Sequence, residues 1–226
     1  MELDPAKLKS QDRYKLLIGL VTPRPIAFVS TCDADGRANL APFSFFNAVG
    51  SNPMLLMFCP ANKDDGSEKD SLRNAKPASE GGVGEFVVNI ASESFITQVA
   101  AAGEELPFGE SEFELTGLTP TPSSVVKPPR VLESPASFEC RTVRVVRTNP
   151  GEAGGGNIVL GEVVRVHAHD GVLNDRLHTD AEKLAAVGRM GGATYCLTRD
   201  RFDLPRGKAA MDVLDQDPRS GGTAGA

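Results

Sequence analysis

The fold of this chain is decided by residues 23–60, PRPIAFVSTCDADGRANLAPFSFFNAVGSNPMLLMFCP. Its first half places β-prone residues on both sides of the turn sequence at 33–36. This pattern predicts a β-hairpin whose first strand is 26–31 and whose second begins near Arg37. Pro42 then removes a backbone N–H, so we expect the second strand to bulge there or to lie at a sheet edge. The apolar run 54–59 predicts another strand, buried on both faces.

The rest of the chain adds more strands than helices. Strands are predicted at 86–90, 137–147 and 158–169, the last two joined by a glycine-rich hairpin loop at 149–156. Helical or turn-like segments are predicted at 4–20, after a Ser92 N-cap, and at 180–187. Residues 61–82 are expected to form a surface loop or frayed helix, and 120–135 an extended surface crossing.

This pattern predicts a mainly β fold, an antiparallel barrel with attached helices. No internal repeat or linker divides the chain, so we expect one domain over residues 1–206. The composition of residues 207–226 is typical of a disordered tail.

The composition also excludes some functions. A net charge of −6 argues against a nucleic-acid partner, which usually requires a basic face. The N-terminus has no apolar signal core, and no apolar run approaches the roughly 20 residues of a membrane span. The four cysteines lack any paired spacing, which favours free thiols in a reducing compartment. We therefore expect a cytoplasmic protein with no membrane partner.

Residues 23–60 also carry the richest chemistry. Hydroxyl and amide side chains are mixed with phenylalanines, as a site for a planar ligand with a phosphate requires. The alternative is purely structural: in a barrel strand, the same serines and asparagines would satisfy neighbouring backbone groups.

Six further motifs follow in order, and together with this segment they carry a family resemblance. They are KDSLRN (69–74), EFVVNI (85–90), FELTGL (113–118), LESPASFEC (132–140), GEVVRVH (161–167) and VGRMGGATY (187–195). With RPIAFVST (24–31) and NLAPFSFFN (39–47), they resemble the flavin reductase-like family over about residues 14–206.

The resemblance implies an FMN-binding split barrel, a six-stranded Greek-key fold that forms a homodimer with FMN near the subunit interface. The family's cofactor-binding positions correspond here to Ser30, Thr31, Ala41, Pro42, Ser44, Phe46, Asn47, Lys69, Asp70 and Ser71. Arg189 has two interpretations, a contact with flavin or nicotinamide phosphate and a surface or interface salt bridge. This chain departs from the family in longer segments at 61–68 and 79–84, which flank the KDS motif.

The implied activity is oxidoreduction: NADH or NADPH passes a hydride to flavin N5, and the protein positions the two rings. Reduced FMN then serves a monooxygenase or another redox partner. The alternative is a flavoredoxin-like FMN electron carrier without NAD(P)H activity. A third possibility is a different ligand on the same fold, such as haem or pyridoxal phosphate.

Weaker signals come from histidines and cysteines. His167 and His169 lie on one side of a predicted strand, which fits a metal pair, a place near the nicotinamide or a place at the dimer interface. No third ligand is evident, so we predict no metal. Cys32, Cys59, Cys140 and Cys196 are expected to be buried or bystander thiols.

Overall fold

The structure is a computed structural model that describes residues 1–107 and 110–213. Its strands are β1 (Arg24–Pro25), β2 (Ala27–Cys32), β3 (Ala38–Phe43), β4 (Phe46–Ser51), β5 (Met54–Phe58), β6 (Glu85–Ile90), β7 (Pro120–Thr121), β8 (Arg130–Val131), β9 (Ala136–Arg147), β10 (Asn157–Ala168), β11 (Val187–Arg189) and β12 (Tyr195–Leu197). Its α-helices are α1 (Ser10–Leu20), α2 (Asp70–Ala75), α3 (Ile96–Ala101), α4 (Glu112–Thr116) and α5 (Ala181–Leu184). Four 3₁₀ turns cover Pro5–Lys7, Ala78–Glu80, Glu93–Phe95 and Gly207–Val213.

Seven strands form one antiparallel sheet in the order β3-β2-β6-β9-β10-β5-β4. The predicted hairpins β2–β3 and β9–β10 are both present, and so is the mainly β class. The sheet has one strand more than the six that the resemblance implies. Only Ser44 and Phe45 separate β3 from β4, which end the sheet on opposite sides, so the sheet must curl to bring its edges together.

The curled sheet encloses a phenylalanine-rich core. Phe58 is fully buried, and its ring centroid lies 5.1 Å from that of Phe43 and 5.0 Å from that of Phe86. These rings come from β3, β5 and β6, and buried residues of β2, β9 and β10 join the same cluster. Gly161 lies opposite the Phe86 ring, where an added Cβ would approach the ring to 2.3 Å. A side chain at this position would therefore displace the core.

Pro42 lies on an edge strand, as predicted. β3 pairs with β2 on one side only, and its Leu40 N–H points away from the sheet to the Glu112 carboxylate at 2.8 Å. Backbone groups alternate sides along a strand, so the N–H that Pro42 lacks would point the same way as that of Leu40. The proline therefore removes no ladder hydrogen bond.

The segment 61–82 differs from expectation. It contains α2, whose Leu72 and Ala75 are fully buried against the core rather than lying at the surface. An ion network fixes the adjoining loop, since Glu68 contacts Lys76 at 2.8 Å and Arg147 at 2.9 Å. Sequence composition showed the polar loop, but not the apolar face that α2 presents to the barrel.

Other segments also differ from the predictions. The predicted doubly buried strand is β5, but its Met54 is 46% exposed because β5 begins beyond the core. The side chain of Ser92 makes no N-cap hydrogen bond. The proline-rich segment 120–135 contains β7 and β8, and its Val131 is buried. Strands β4, β11 and β12 were not predicted.

The predicted C-terminal tail is only partly described. Residues 207–213 form a 3₁₀ turn, and residues 214–226 lie outside the described part of the chain. Within that described part, no helix is both long enough and apolar enough to cross a membrane.

Candidate functional site

One cleft gathers many of the predicted site residues. It is an open surface cleft, which we call the lysine cleft. The free edge of β3, the start of α2, residues 102–106 and one residue of α4 form its walls. The polar residues of its lining and those of β3 include Asn39, Ala41, Pro42, Lys63, Lys69, Asp70, Ser71, Glu104, Glu105 and Glu112. Five predicted site residues, from motifs nearly thirty residues apart, therefore meet here.

The start of α2 supplies unsatisfied hydrogen-bond donors to the lysine cleft. The backbone N–H groups of Asp70 and Ser71 have no acceptor among the described residues. The Ser71 hydroxyl accepts a hydrogen bond from the Asn39 amide at 3.1 Å, which leaves its own proton to donate. Asp70 is held in an ion pair with Arg73 at 3.0 Å, which offsets its negative charge.

Two ammonium groups complete this donor set. Lys69 is the residue immediately before α2, and Lys63 reaches the same cleft from the preceding loop. Neither lysine forms an ion pair with a residue in the described part of the chain. Sequence reasoning missed Lys63, since its loop departs from the family pattern. Two cations, two free N–H groups and a hydroxyl suit a phosphate group. The carboxylates of Glu104 and Glu105 line the same cleft, so a phosphate would bind at the end where the two lysines and the start of α2 lie.

A second cleft, which we call the arginine cleft, begins where the first ends. It has a volume of about 330 Å³ and is lined by Leu17, Val21, Pro23, Arg24, Pro25, Ser44, Phe45, Phe46, Asn47, Met57 and Cys59. Ser44, Phe46 and Asn47 were predicted site residues. The segment 41–47 thus runs from the lysine cleft into the arginine cleft. The second cleft has mostly apolar walls, as a planar ring requires.

Ser30 and Thr31 lie apart from both clefts. Both are fully buried in β2. The Ser30 hydroxyl donates to the Pro129 carbonyl at 2.5 Å, and Thr31 accepts from the Asn74 amide at 3.1 Å. The second bond ties β2 to α2 and so helps to place Ser71. Their direct contact with a cofactor stays a prediction.

Arg189 also lies away from the lining of both clefts. It ends β11, its guanidinium stacks 4.4 Å from the Tyr195 ring centroid, and it donates to the Gly192 carbonyl at 2.6 Å. It forms no ion pair among the residues that the structure describes. The contact with a flavin or nicotinamide phosphate therefore stays a prediction too.

Glu112 is a titratable group of the lysine cleft that sequence reasoning missed. It is 7% exposed and accepts the Leu40 N–H. Burial raises the pKa of its carboxyl above the ordinary value, although the bond from Leu40 opposes this change. The folded chain therefore binds this proton more tightly than the unfolded chain does. Its contribution to stability is fully present below the ordinary carboxyl pKa and is lost as the pH rises through the raised value.

Replacing Glu112 with glutamine is expected to flatten this pH dependence. Between about pH 4.3, the ordinary value, and about pH 7, the wild type should lose more free energy of unfolding than Glu112→Gln. Glutamine keeps an acceptor for the Leu40 N–H but carries no charge. Urea unfolding at both pH values measures the difference, with Glu114→Gln, an exposed residue of the same helix, as control. Parallel pH profiles for wild type and Glu112→Gln would contradict the assignment.

His167 belongs to a structural contact with a buried glutamate. Glu139 is 0% exposed and accepts the N–H groups of Ser124 and Val125 at 2.7 Å each, and His167 Nε2 lies 2.6 Å from it. Burial alone would raise the pKa of Glu139, but these hydrogen bonds hold it below the ordinary value. His169 is exposed. Within the described ranges, no three His, Cys, Asp or Glu side chains are grouped to hold a metal.

All four cysteines are free thiols. Cys59 lines the arginine cleft, and burial raises the pKa of its thiol, so it remains neutral near pH 7. Burial likewise raises the pKa of the Cys32 and Cys140 thiols. These properties do not favour a reactive thiolate.

Fold and clefts define the class: a mainly β protein with a curled antiparallel sheet, a phosphate-sized set of donors and an adjoining apolar cleft. The family described as "Flavin reductase like domain" matches residues 19–187. The chain belongs to the flavin reductase-like family.

Solved structures agree with this assignment. Nitrilotriacetate monooxygenase component B from Bacillus cereus superposes with a TM-score of 0.83 at 35% identity, over 90% of this chain and 98% of that one. The 2-nitrobenzoate 2-nitroreductase of Pseudomonas fluorescens gives 0.79 at 28% identity, over 92% and 97%. Flavoredoxin of Desulfovibrio vulgaris (Miyazaki F) gives 0.66 at 21% identity, over 93% and 100%, a likeness of fold alone.

Proposed function

We propose that this protein binds FMN and transfers a hydride from NADH or NADPH to it, as a flavin oxidoreductase. The observation that carries the proposal is the donor set of the lysine cleft beside the edge of β3. Lys63, Lys69, the Ser71 hydroxyl and two free N–H groups match the charge and the acceptors of a phosphate.

The segment 41–47 would then run beside the isoalloxazine ring. It leads from the lysine cleft to the arginine cleft, where Phe46 and Met57 supply apolar surface and Ser44 and Asn47 supply polar groups. Bound FMN supplies the hydride-accepting chemistry. The protein's part is to orient the ring and exclude water, a role that requires no catalytic triad.

The relatives support a reductase. Two proteins that share 35% and 28% of their aligned residues with this chain are a monooxygenase component and a nitroreductase. The flavoredoxin-like carrier is the alternative, and it predicts bound FMN that nicotinamide nucleotides do not reduce. A monooxygenase or other redox protein is the expected partner for the reductase.

An anaerobic titration distinguishes these functions. The FMN-loaded protein is mixed with NADH or NADPH while the absorbance of oxidised flavin is followed. We expect rapid bleaching by at least one nucleotide, and the faster donor identifies the preference. Bound FMN that neither nucleotide bleaches would contradict the reductase and favour the carrier.

We also propose that the protein is a homodimer, because α1 leaves its apolar side chains uncovered. None of its eleven residues is buried, and Leu17 and Leu20 are 52% and 79% exposed. A helix of this length is marginal in water without tertiary packing. Tyr14 of the same helix is 57% exposed, and its ring centroid lies 6.5 Å from that of Phe45. A second subunit over α1 would cover this surface and the mouth of the arginine cleft.

A charge placed on this helix is expected to weaken the dimer. Leu20→Asp should shift the protein toward the monomer mass in sedimentation equilibrium, because a carboxylate would be buried without a partner. Leu177→Asp is the matched control, since Leu177 is 77% exposed in a loop distant in sequence. A monomeric wild type, or an unchanged Leu20→Asp dimer, would contradict the proposal.

A further inference from the structure

Arg24 is a buried cation that forms no ion pair. Its side chain lines the arginine cleft, and the residue is only 4% exposed. Among the residues that the structure describes, no carboxylate pairs with it. Burying a guanidinium away from water is costly unless its charge and its donors are used. The hydrogen bonds of the Arg24 guanidinium should therefore show how its charge and donors are used.

Most of its donors hold the backbone around the cleft. Nη1 donates to the carbonyls of Ile18 and Val21, both at 2.6 Å, and so caps the C-terminal end of α1. Nη2 donates to the Met190 carbonyl at 2.9 Å. One side chain thereby joins α1 to the loop after β11, at the base of the arginine cleft.

Two further contacts reach the predicted ring site. The guanidinium carbon lies over the Phe45 ring, 6.0 Å from its centroid. The Nε–H of Arg24 donates to the Ser44 hydroxyl at 3.3 Å, so the serine proton is directed elsewhere and remains available to a ligand. Four of five guanidinium hydrogens are thus used, and the fifth, on Nη2, has no acceptor in the described chain. Carbonyl dipoles only partly offset the charge.

Among residues 1–107 and 110–213, no other charged side chain lines the arginine cleft. The other titratable group there is the neutral thiol of Cys59, and across the cleft Tyr14 of α1 packs against Phe45. Asp12 and Lys15 of α1 pair with each other at 3.3 Å. Within the described lining of this cleft, Arg24 therefore supplies the one side-chain charge that a ligand would meet.

We propose that Arg24 positions Ser44 and supplies the unpaired positive charge that stabilises FMN in its reduced, negatively charged form. This inference rests on the proposed function. Hydride transfer moves two electrons and one proton from the nicotinamide, which becomes cationic, to the flavin ring, which gains one negative charge. A fixed cation next to the ring favours this product over the neutral oxidised ring.

The test compares the affinities for oxidised and reduced FMN in Arg24→Met, Arg24→Lys and the wild type. In Arg24→Met we expect at least a tenfold loss of affinity for reduced FMN and less than a threefold change for oxidised FMN. A tenfold loss for reduced FMN with unchanged affinity for oxidised FMN lowers the two-electron midpoint potential by about 30 mV, and a threefold ratio lowers it by about 15 mV. Arg24→Lys keeps the charge and should restore the potential. Equal losses for both redox forms, or no rescue by lysine, would overturn the proposal.

Ile18→Ala is the structural control, because it loosens the packing of α1 but keeps the guanidinium and the Ile18 carbonyl. We expect a lower melting temperature and an unchanged midpoint potential. A potential that falls as far as in Arg24→Met would reduce Arg24 to a structural role. Failure of all forms to bind FMN would instead reject the proposed function.

A measurement on the wild type tests the same proposal if Arg24→Met does not fold. The midpoint potential of bound FMN falls by about 30 mV per pH unit when reduction takes up one proton, and by about 59 mV when it takes up two. Stabilisation of the anion predicts that the change between these slopes occurs at lower pH than for free FMN in the same buffers. A change at the same or higher pH would overturn the proposal.

Discussion

Replacing Lys69 with alanine is expected to weaken FMN binding about tenfold to a hundredfold and to leave riboflavin binding unchanged. A hydrogen bond to a charged group contributes about 1.5–3 kcal/mol, and about 1.4 kcal/mol corresponds to a factor of ten in affinity. Riboflavin has the ring and ribityl chain of FMN without the phosphate, so it reports any general damage to the site. Quenching of flavin fluorescence measures both dissociation constants.

Lys7→Ala is the control for the loss of a lysine, because Lys7 is exposed and its ammonium group pairs with the Asp4 carboxylate at 3.8 Å, away from the cleft lining. Lys63→Ala should resemble Lys69→Ala, since both ammonium groups line the lysine cleft. Equal weakening of FMN and riboflavin by Lys69→Ala would place the phosphate elsewhere. Full retention of FMN affinity in the double variant would do the same.

The second large effect concerns stability. Phe58→Ala is expected to lower the free energy of unfolding by about 3–5 kcal/mol, because it leaves a cavity between Phe43 and Phe86. For a chain of this size each kcal/mol lowers the melting temperature by about 2–4 °C. The expected loss is therefore roughly 6–20 °C in calorimetry or circular dichroism.

Phe202→Ala is the matched control, since Phe202 is 52% exposed. It should change the free energy of unfolding by less than about 0.5 kcal/mol. A small loss in Phe58→Ala, comparable with this control, would mean that the sheet does not close around the aromatic cluster. The position of the segment 41–47 would then lose its support.

The sequence predicted the elements that local chemistry determines. The β2–β3 hairpin follows from the turn at 33–36 and the β-prone residues around it. The edge position of β3 follows from Pro42. By contrast, α2 is a six-residue helix stabilised by burial of Leu72 and Ala75, and its surrounding composition is typical of a loop. Tertiary contacts outweighed the local pattern there.

The part of the candidate site at the lysine cleft could be predicted, because it combines residues of two motifs that the resemblance had named. The resemblance named both the KDS motif and the residues of β3, and the structure brings Lys69–Ser71 and Ala41–Pro42 together in one cleft. Sequence alone could not distinguish the structural hydroxyl of Ser30 from a ligand-binding hydroxyl, because the Asn89 amide that donates to it lies 59 residues away. The same limit hid Arg24, whose contact with Met190 spans 166 residues.

The most direct test of the FMN site is a calorimetric titration of the cofactor-free protein with FMN and, separately, with riboflavin. The lysine cleft predicts one FMN bound per chain and a riboflavin affinity at least about a hundredfold lower, because two cations and several donors lose their ligand. No binding of FMN, or equal affinity for riboflavin and FMN, would contradict the account.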